Sequence, residues 1–285
     1  MAPRSIDEAL TALRENMPDG KILAGGQSLM PLLNLRLAKP KVLVDLNGIS
    51  GVDAIGETPS GISIGAMARQ SRVESSSLVR EKCPVLAEAI RNIGHIAIRH
   101  RGTLGGSLVH ADPAAELPAV SLVLDAKFEI ARDGSDRTMP AEEFFIDFLT
   151  TALAPDEILR QVIFPVLRPS AGYAVEEIAR RHGDFAIAGV VVIVDLDDLD
   201  KIADARIALF GVAAIPVRAR QAERSLIGRE PNDNALRDAA ALLVDVLDPP
   251  GDIRASSRYR KHAAAVLMVR ALKRAVQLCR ARRSS

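Results

Sequence analysis

The chain has 285 residues, 48% of them hydrophobic and 26% charged, the composition of a globular protein long enough for a large core split over two or three subdomains. Its formal net charge is +1, and 3% of residues are aromatic with no Trp, so it offers neither the basic field nor the stacking platform of a nucleic-acid-binding protein. Cys83 and Cys279 are the only cysteines; they exclude a disulfide framework, and an iron–sulfur cluster held by this chain alone, which takes about four thiolates.

The predicted elements begin at once. Ser5 and Glu8 have capping-box spacing, and Ala9, Leu10 and Leu13 form an apolar stripe, so a helix is expected up to Pro18-Asp19-Gly20. A short strand follows at Lys21 to Leu23, then the small-residue turn Ala24-Gly25-Gly26-Gln27-Ser28. A helical stretch through Leu29, Leu32, Leu33 and Leu37, read as core, ends at Pro40, and Lys41 to Leu46 is a second strand. The pattern is that of a βαβ-like unit with its tight turn between strand and helix. Gly61 to Met67 reads as another strand, and Pro84 suits the first position of a helix carrying Leu86, Ile90 and Ile93 on one face.

A second glycine-dense segment, Arg101-Gly102-Thr103-Leu104-Gly105-Gly106-Ser107, precedes Asp112 to Pro118. Strands are expected at Val120 to Leu124, Lys127 to Ala131 and Glu157 to Phe164. Pro165 to Gly172 has linker composition. Beyond it Gly189 to Leu196 and Ala205 to Ala213 alternate like antiparallel strands across an acidic turn at Asp195 to Asp200. From about Pro216 the pattern is helical, closing in a long helix from roughly Ser257 to Arg282. The division expected is 1–168, with subdomains of about 1–50 and 51–168, followed by 169–285.

Chemistry concentrates in the two glycine turns. Glycine permits positive φ and close backbone approach, so successive N–H groups can form an anion nest, strengthened by a helix start just beyond. One such loop holds one phosphate; two that converge suit a pyrophosphate. Neither is a GxxxxGK[ST] P-loop or a GxGxxG turn, and either alone can be simply a tight turn. Hydroxyls at Ser28, Thr103 and Ser107 can donate to phosphate oxygens, and Glu116 can accept from ribose hydroxyls. The residues alone therefore point to dinucleotide binding without naming the cofactor.

The remaining polar residues show no catalytic constellation. His95, His100, His110, His182 and His262 lack metal-ligand spacing, and no GxSxG elbow is present. His110 and Asp112 suit a structural or cofactor-edge role. Arg99 and Arg101 either hold the loop's carbonyls or an acidic partner, or contact phosphate. Cys83 is either inert or activated at its helix start. The cations Lys273, Arg274, Arg280, Arg282 and Arg283 read as a solvated helix end or as a docking surface for an acidic partner.

The stretches AGGQSLMPLLNLRLAKPKVLVDL (24–46) and IRHRGTLGGSLVHADPAAELPA (98–119) resemble the two FAD-binding segments of the molybdenum hydroxylase flavoproteins, the family of carbon monoxide dehydrogenase medium subunits and the xanthine dehydrogenase flavin domain. The likeness continues through GAMARQ (65–70), RRHGDFA (180–186) and DIRASSRYRKHAAAVLMVRAL (252–272), nearly the whole chain. It implies an α+β fold: a two-subdomain FAD-binding domain of the PCMH type, then a C-terminal domain with a three-stranded antiparallel sheet and a helical bundle. It implies FAD held by Ile22, Leu23, Ala24, Gly25, Gly26, Gln27, Ser28 and Leu29 and by Thr103, Gly105, Gly106 and Ser107, through backbone N–H groups and hydroxyls. Asp112 lies at the cofactor edge in this reading. Glu116 falls near the ribitol or ribose, Leu159 at a strand position packing against the flavin, and Phe185 beside the isoalloxazine.

The function implied is that of an electron-transfer oxidoreductase subunit with no catalytic or metal-ligating residue of its own. Its partners would be a small subunit with [2Fe–2S] clusters and a large molybdopterin subunit, assembled as a dimer of heterotrimers, a heterohexamer. A non-redox scaffold or a stand-alone nucleotide-binding protein is the alternative. Neither a nucleic-acid partner nor a bilayer-spanning segment is expected, and with no secretory signal pattern the cytoplasm is the expected compartment. Departures from the family are Glu176, where the xanthine dehydrogenase branch carries a lysine near the flavin, His100 in place of an asparagine, and a start almost inside the first helix where the family opens with a strand.

Overall fold

The structure is a computed structural model describing residues 1–243 and 246–284, with 38% of residues helical and 24% in strands. The first elements are α1 (Ile6–Glu15), β1 (Gly20–Leu23), α2 (Leu29–Asn34) and β2 (Val42–Asp45). Ser5 Oγ accepts from the Glu8 N–H at 3.1 Å, and Glu8 Oε2 reaches back to the Arg4 N–H at 2.7 Å. Strands β1 and β2 pair in parallel, Gly20 opposite Val42 through Leu23 opposite Asp45. Ala9, Leu10 and Leu13 of α1 bury against Val44 and Leu46. The Met1 ammonium donates to Leu43 O at 2.7 Å, and Met1 O accepts from the Asp45 N–H at 2.9 Å.

Next come β3 (Ile55–Thr58), β4 (Gly61–Gly65), α3 (Gln70–Ser75), α4 (Ser77–Lys82), α5 (Pro84–Asn92), α6 (Ile96–Arg101), α7 (Leu104–His110), α8 (Glu116–Val123), β5 (Lys127–Ala131), β6 (Arg137–Pro140), α9 (Ala141–Phe144), β7 (Phe145–Asp147), β8 (Thr150–Thr151) and β9 (Ile158–Phe164). Strands β3-β4-β9-β5-β6 form a five-stranded sheet, antiparallel throughout. Helices α5, α7 and α8 cover it with an aliphatic core that includes Ile62, Ile64, Leu86, Ile90, Leu104, Leu108 and Phe128.

The chain continues through β10 (Gly172–Ile178), β11 (Ala188–Leu196), β12 (Ile202–Phe210), β13 (Val217–Arg218), α10 (Arg220–Leu226), α11 (Asp233–Ala241) and α12 (Ser257–Arg283). These strands form an antiparallel sheet in sequence order. One face packs on α12 through Ala174, Val190, Val192, Leu267, Met268, Ala271 and Leu272. The opposite face, through Val175, Val191, Ile193 and Phe210, joins the core under α8.

Four expectations need correction. Val120 to Leu124 is not a strand: residues 116–123 are helical, and every one is buried. A helix covered on all sides has no polar stripe, so its apolar run cannot be told from a buried strand by periodicity. The Leu29–Leu37 stretch is not core. Its helix stops at Asn34 with none of its residues buried, Arg36 turns at φ 56°, and Leu35 and Leu37 are 69% and 73% exposed. The C-terminal sheet gains a fourth strand, the two-residue β13, ahead of the first helix after Pro216. Finally, the glycine-dense second segment is mostly helical, α6 and α7 flanking Gly102-Thr103.

Candidate functional site

Both carboxyl ends of the parallel pair β1–β2 open into one cleft of about 650 Å³, lined by Leu23, Ala24, Gly25, Gly26, Gln27 and Met30 from the first loop side and by Asp45, Asn47, Arg69 and Arg101 opposite. Ligand sites at the carboxyl ends of parallel strands follow from the topology, because loops and helix starts gather there. The first loop is built for backbone approach. Gly26 has φ 75°, and a Cβ on Gly25 would run into the Arg101 carbonyl oxygen, so the loop can lie directly on the second glycine segment only without side chains. No described residue accepts from the N–H groups of Gly25, Gly26, Gln27 or Ser28, and the Ser28 hydroxyl makes no capping bond.

Asn47 and Arg69 bracket the two loops together. Asn47 Nδ2 donates to Ala24 O at 3.0 Å, Arg69 Nη2 donates to Asn47 Oδ1 at 2.6 Å, and Arg69 Nη1 donates to Arg101 O. Arg69 also pairs with Thr103 as a single β-bridge. Burial, then the positive charge of Arg101, lowers the Arg69 pKa from its ordinary value. Two guanidinium groups facing one cleft repel each other and favour an anion between them.

The second loop differs from the first. Its Leu104 and Gly105 N–H groups donate to Ala68 O and Ala66 O at 2.9 and 2.8 Å. The Gly106 N–H donates to Thr103 Oγ1 at 3.0 Å and the Ser107 N–H to Thr103 O at 3.2 Å. Four consecutive donors expected to face phosphate are thus spent inside the protein, the correction that the structure makes to a symmetric two-loop nest. What this segment offers is close approach, the Ser107 hydroxyl and the Arg101 guanidinium. Gly105 is buried against Ala66, whereas a Cβ on Gly106 would come 2.6 Å from Thr103 Oγ1 and 3.5 Å from the Ala24 Cβ.

Beyond the cleft proper, the Glu116 carboxyl is buried at the start of α8. Burial, then the charge of Glu177, pushes it up to about 8, and burial pushes Glu177 up to about 7. Glu177 Oε2 is buried without a hydrogen-bond partner among the described residues. Asp112 Oδ1 accepts from the Ala114 N–H at 2.8 Å, and burial lowers the pKa of His110. Phe185 is 51% exposed, in the turn between β10 and β11, with the Arg254 guanidinium 5.5 Å from its ring centroid. Leu159 is 4% exposed within the main core and does not line the cleft.

Arg99 donates to Ile93 O and Gly94 O and pairs with Glu74 at 3.1 Å, so it holds loop carbonyls, while Arg101 is the one at the cleft. Burial pushes the Cys83 thiol up to about 12, which leaves it inert. The C-terminal cations are tied within the chain: Lys273 to Asp233, Arg274 to Glu88 and Glu176, Arg280 to Asp200 and Arg283 to Asp198. Arg282 lies over the Tyr173 ring. Reasoning from sequence missed Asn47 and Arg69; the available signal was their place just after strands β2 and β4.

A cleft with unpaired loop donors and facing guanidinium groups suits an anionic, phosphate-bearing ligand. Residues 1–167 match the family model described as the FAD binding domain in molybdopterin dehydrogenase, and residues 173–275 match the CO dehydrogenase flavoprotein C-terminal domain. The chain is 38% identical over 281 residues to the 6-hydroxypseudooxynicotine dehydrogenase complex subunit alpha of Paenarthrobacter nicotinovorans, covering 99% of this chain and 95% of that one. It is 39% identical to the caffeine dehydrogenase subunit beta of a Pseudomonas species, covering 96% and 92%. The solved carbon monoxide dehydrogenase of Hydrogenophaga pseudoflava superposes with a TM-score of 0.95 at 35% identity, over 98% of this chain and 96% of that one. The chain belongs to the FAD-binding medium subunits of the molybdenum hydroxylase family, whose members are subunits of oxidoreductase complexes. FAD is its cofactor, and the free donors and paired guanidinium groups of the cleft fit the charge of a pyrophosphate.

Proposed function

We propose that this chain is the electron-transfer subunit of its complex. It would take electrons from [2Fe–2S] clusters on a small partner subunit, while a large molybdopterin subunit transforms the organic substrate. Bound FAD would supply the ability to accept single electrons from a cluster and deliver them to an external acceptor. The chain's own residues bind and orient: the N–H groups of Gly25 to Ser28, the Ser28 and Ser107 hydroxyls and the Arg69 and Arg101 guanidinium groups hold the pyrophosphate. Glu116 and Asp112 flank the ribityl region, and Phe185 covers one face of the ring.

The observation that carries the reading is the row of unpaired N–H groups in the first loop, opposed by two guanidinium groups. Residues 1–168, in subdomains of about 1–50 and 51–168, form the cofactor-holding half, and 169–285 the half that bears Phe185. The assembly proposed is a dimer of heterotrimers in the cytoplasm; among the described residues no helix is long and apolar enough to cross a membrane. Affinity purification of the tagged chain from its native host tests the reading. Recovery with an iron–sulfur subunit and a molybdenum subunit, and bleaching of the flavin band when the organic substrate is added to that complex, is the expected result. A chain recovered alone, or a flavin that substrate does not bleach, contradicts it.

A further inference from the structure

The segment from Asp252 to Arg260 does not line the cleft, yet it grips the turn after Phe185 and the end of β12. Arg260, at the start of α12, is 6% exposed. Its Nη1 donates to Ile187 O at 2.5 Å and Gly211 O at 2.9 Å, and its Nη2 donates to Asp252 Oδ2 at 2.9 Å. Asp252 also closes its own turn, accepting from the Arg254 and Ala255 N–H groups at 2.9 and 3.0 Å. Those bonds, led by Ala255, hold its carboxyl down at about 2, so the ion pair persists at any physiological pH.

Each end of this clamp leads to the flavin side. Ile187 lies two residues beyond Phe185, and the Arg254 guanidinium sits 5.5 Å from the Phe185 ring. Arg180, which enters the same turn, donates to Ile253 O at 3.3 Å. Gly211, with φ 74°, donates its N–H to Pro113 O at 2.7 Å, the residue after Asp112 on the exit from the second glycine segment. One buried guanidinium therefore ties the Phe185 turn, the Asp112–Glu116 segment and the loop bearing Arg254. Taking such a cation out of water is costly unless fixed acceptors meet its donors; here two backbone carbonyls and the Asp252 carboxylate take its Nη donors, while its Nε is buried without a partner among the described residues.

We propose that Arg260 is the positioning residue for Phe185. Its clamp fixes the 183–187 turn relative to the second glycine segment, and Arg254 closes the outer face of the Phe185 ring, so that the inner face stays against the isoalloxazine. This rests on the reading that Phe185 lies beside the flavin.

The test uses the full chain loaded with FAD and reads FAD content, visible-region circular dichroism of the bound flavin, and iodide quenching of its fluorescence. The chain has no Trp, so no indole complicates the emission. Phe185→Ala is expected to weaken the flavin dichroism and increase quenching. Arg254→Ala and Arg260→Met should reproduce that change with FAD content retained, Arg260→Lys should restore part of it, and Phe185→Ala combined with Arg254→Ala should add nothing further. A lowered melting temperature with unaltered flavin signals would indicate a merely structural Arg260. Parental signals in both Arg254→Ala and Arg260→Met, with Phe185→Ala altered, overturn the clamp and leave the Phe185 reading standing. Unaltered signals in Phe185→Ala overturn that reading and the clamp with it. Should Arg260→Met fail to fold, the surface change Arg254→Ala decides alone.

Discussion

Glu116 and Glu177 are acidic groups whose carboxyls burial pushes well above the usual carboxylate range, and their behaviour follows from where their side chains lie. Neither has a cation among the groups that shift it; burial leads for both, and for Glu116 the charges of Glu177 and Asp112 add to it. Arg274, which pairs with Glu88 and Glu176, is not among the groups that shift either carboxyl. Both folded pKa values lie above the ordinary 4.5, so folding takes up protons, and stability falls as pH rises from about 4.5 to about 8. Glu177→Gln should flatten this decline and leave the FAD-free chain about 1–2 kcal/mol more stable than the parent at the alkaline end, once residual solvent screening is allowed for. Melting temperatures at about pH 5 and about pH 8.5 check it; parallel curves for the two proteins would contradict the assignment. Asn47 belongs to the same scale. Losing its bonds to Ala24 O and Arg69 removes the bracket between the loops, so Asn47→Ala should weaken FAD retention by about tenfold, one hydrogen bond to a charged group being worth ~1.5 kcal/mol or more. Equilibrium dialysis against FAD would show it, and undiminished affinity would count against the bracket.

At the scale of elements, contact between α12 and the C-terminal sheet sets the strictest demand. A Cβ on Gly172 would run into the Ala275 carbonyl of α12. Gly172→Ala should therefore cost about 1–3 kcal/mol, as overpacking does, visible as a lower Tm, whereas an unchanged Tm would mean that α12 moves freely. The same contacts explain what the sequence could convey. The capped α1, the β1–loop–β2 unit and the long α12 were legible because each carries a local signal: a cap, a turn, a helical period. Strand β10 was not, since Pro165 to Gly172 resembles a linker and Glu176 and Glu177 interrupt its apolar pattern. Helix α8 was misread because burial on all sides erases periodicity. Of the candidate site, Ala24 to Ser28 was legible from glycine alone, while Asn47 and Arg69 became functional only through the tertiary approach of two loops. The second loop looked equivalent to the first until its donors proved to be spent on Ala66, Ala68 and Thr103.

For the whole molecule, three cores serve one purpose. The α1 core anchors β1 and β2, whose ends carry the first loop; the central core beneath α8 carries the second; and the sheet packed on α12 carries Phe185 in its β10–β11 turn. On the proposed site the cofactor would bridge elements distant in sequence, and its loss should loosen their mutual arrangement more than any single core. The most direct measurement is the FAD content of the purified full-length chain beside that of Gly106→Val, with far-ultraviolet circular dichroism confirming the fold. About one FAD per chain in the parent, and none in a folded Gly106→Val whose side chain would collide with Thr103 Oγ1 beside Ala24, is the predicted result. A colourless parent that refuses added FAD, or a variant that retains the parent's flavin, would contradict it.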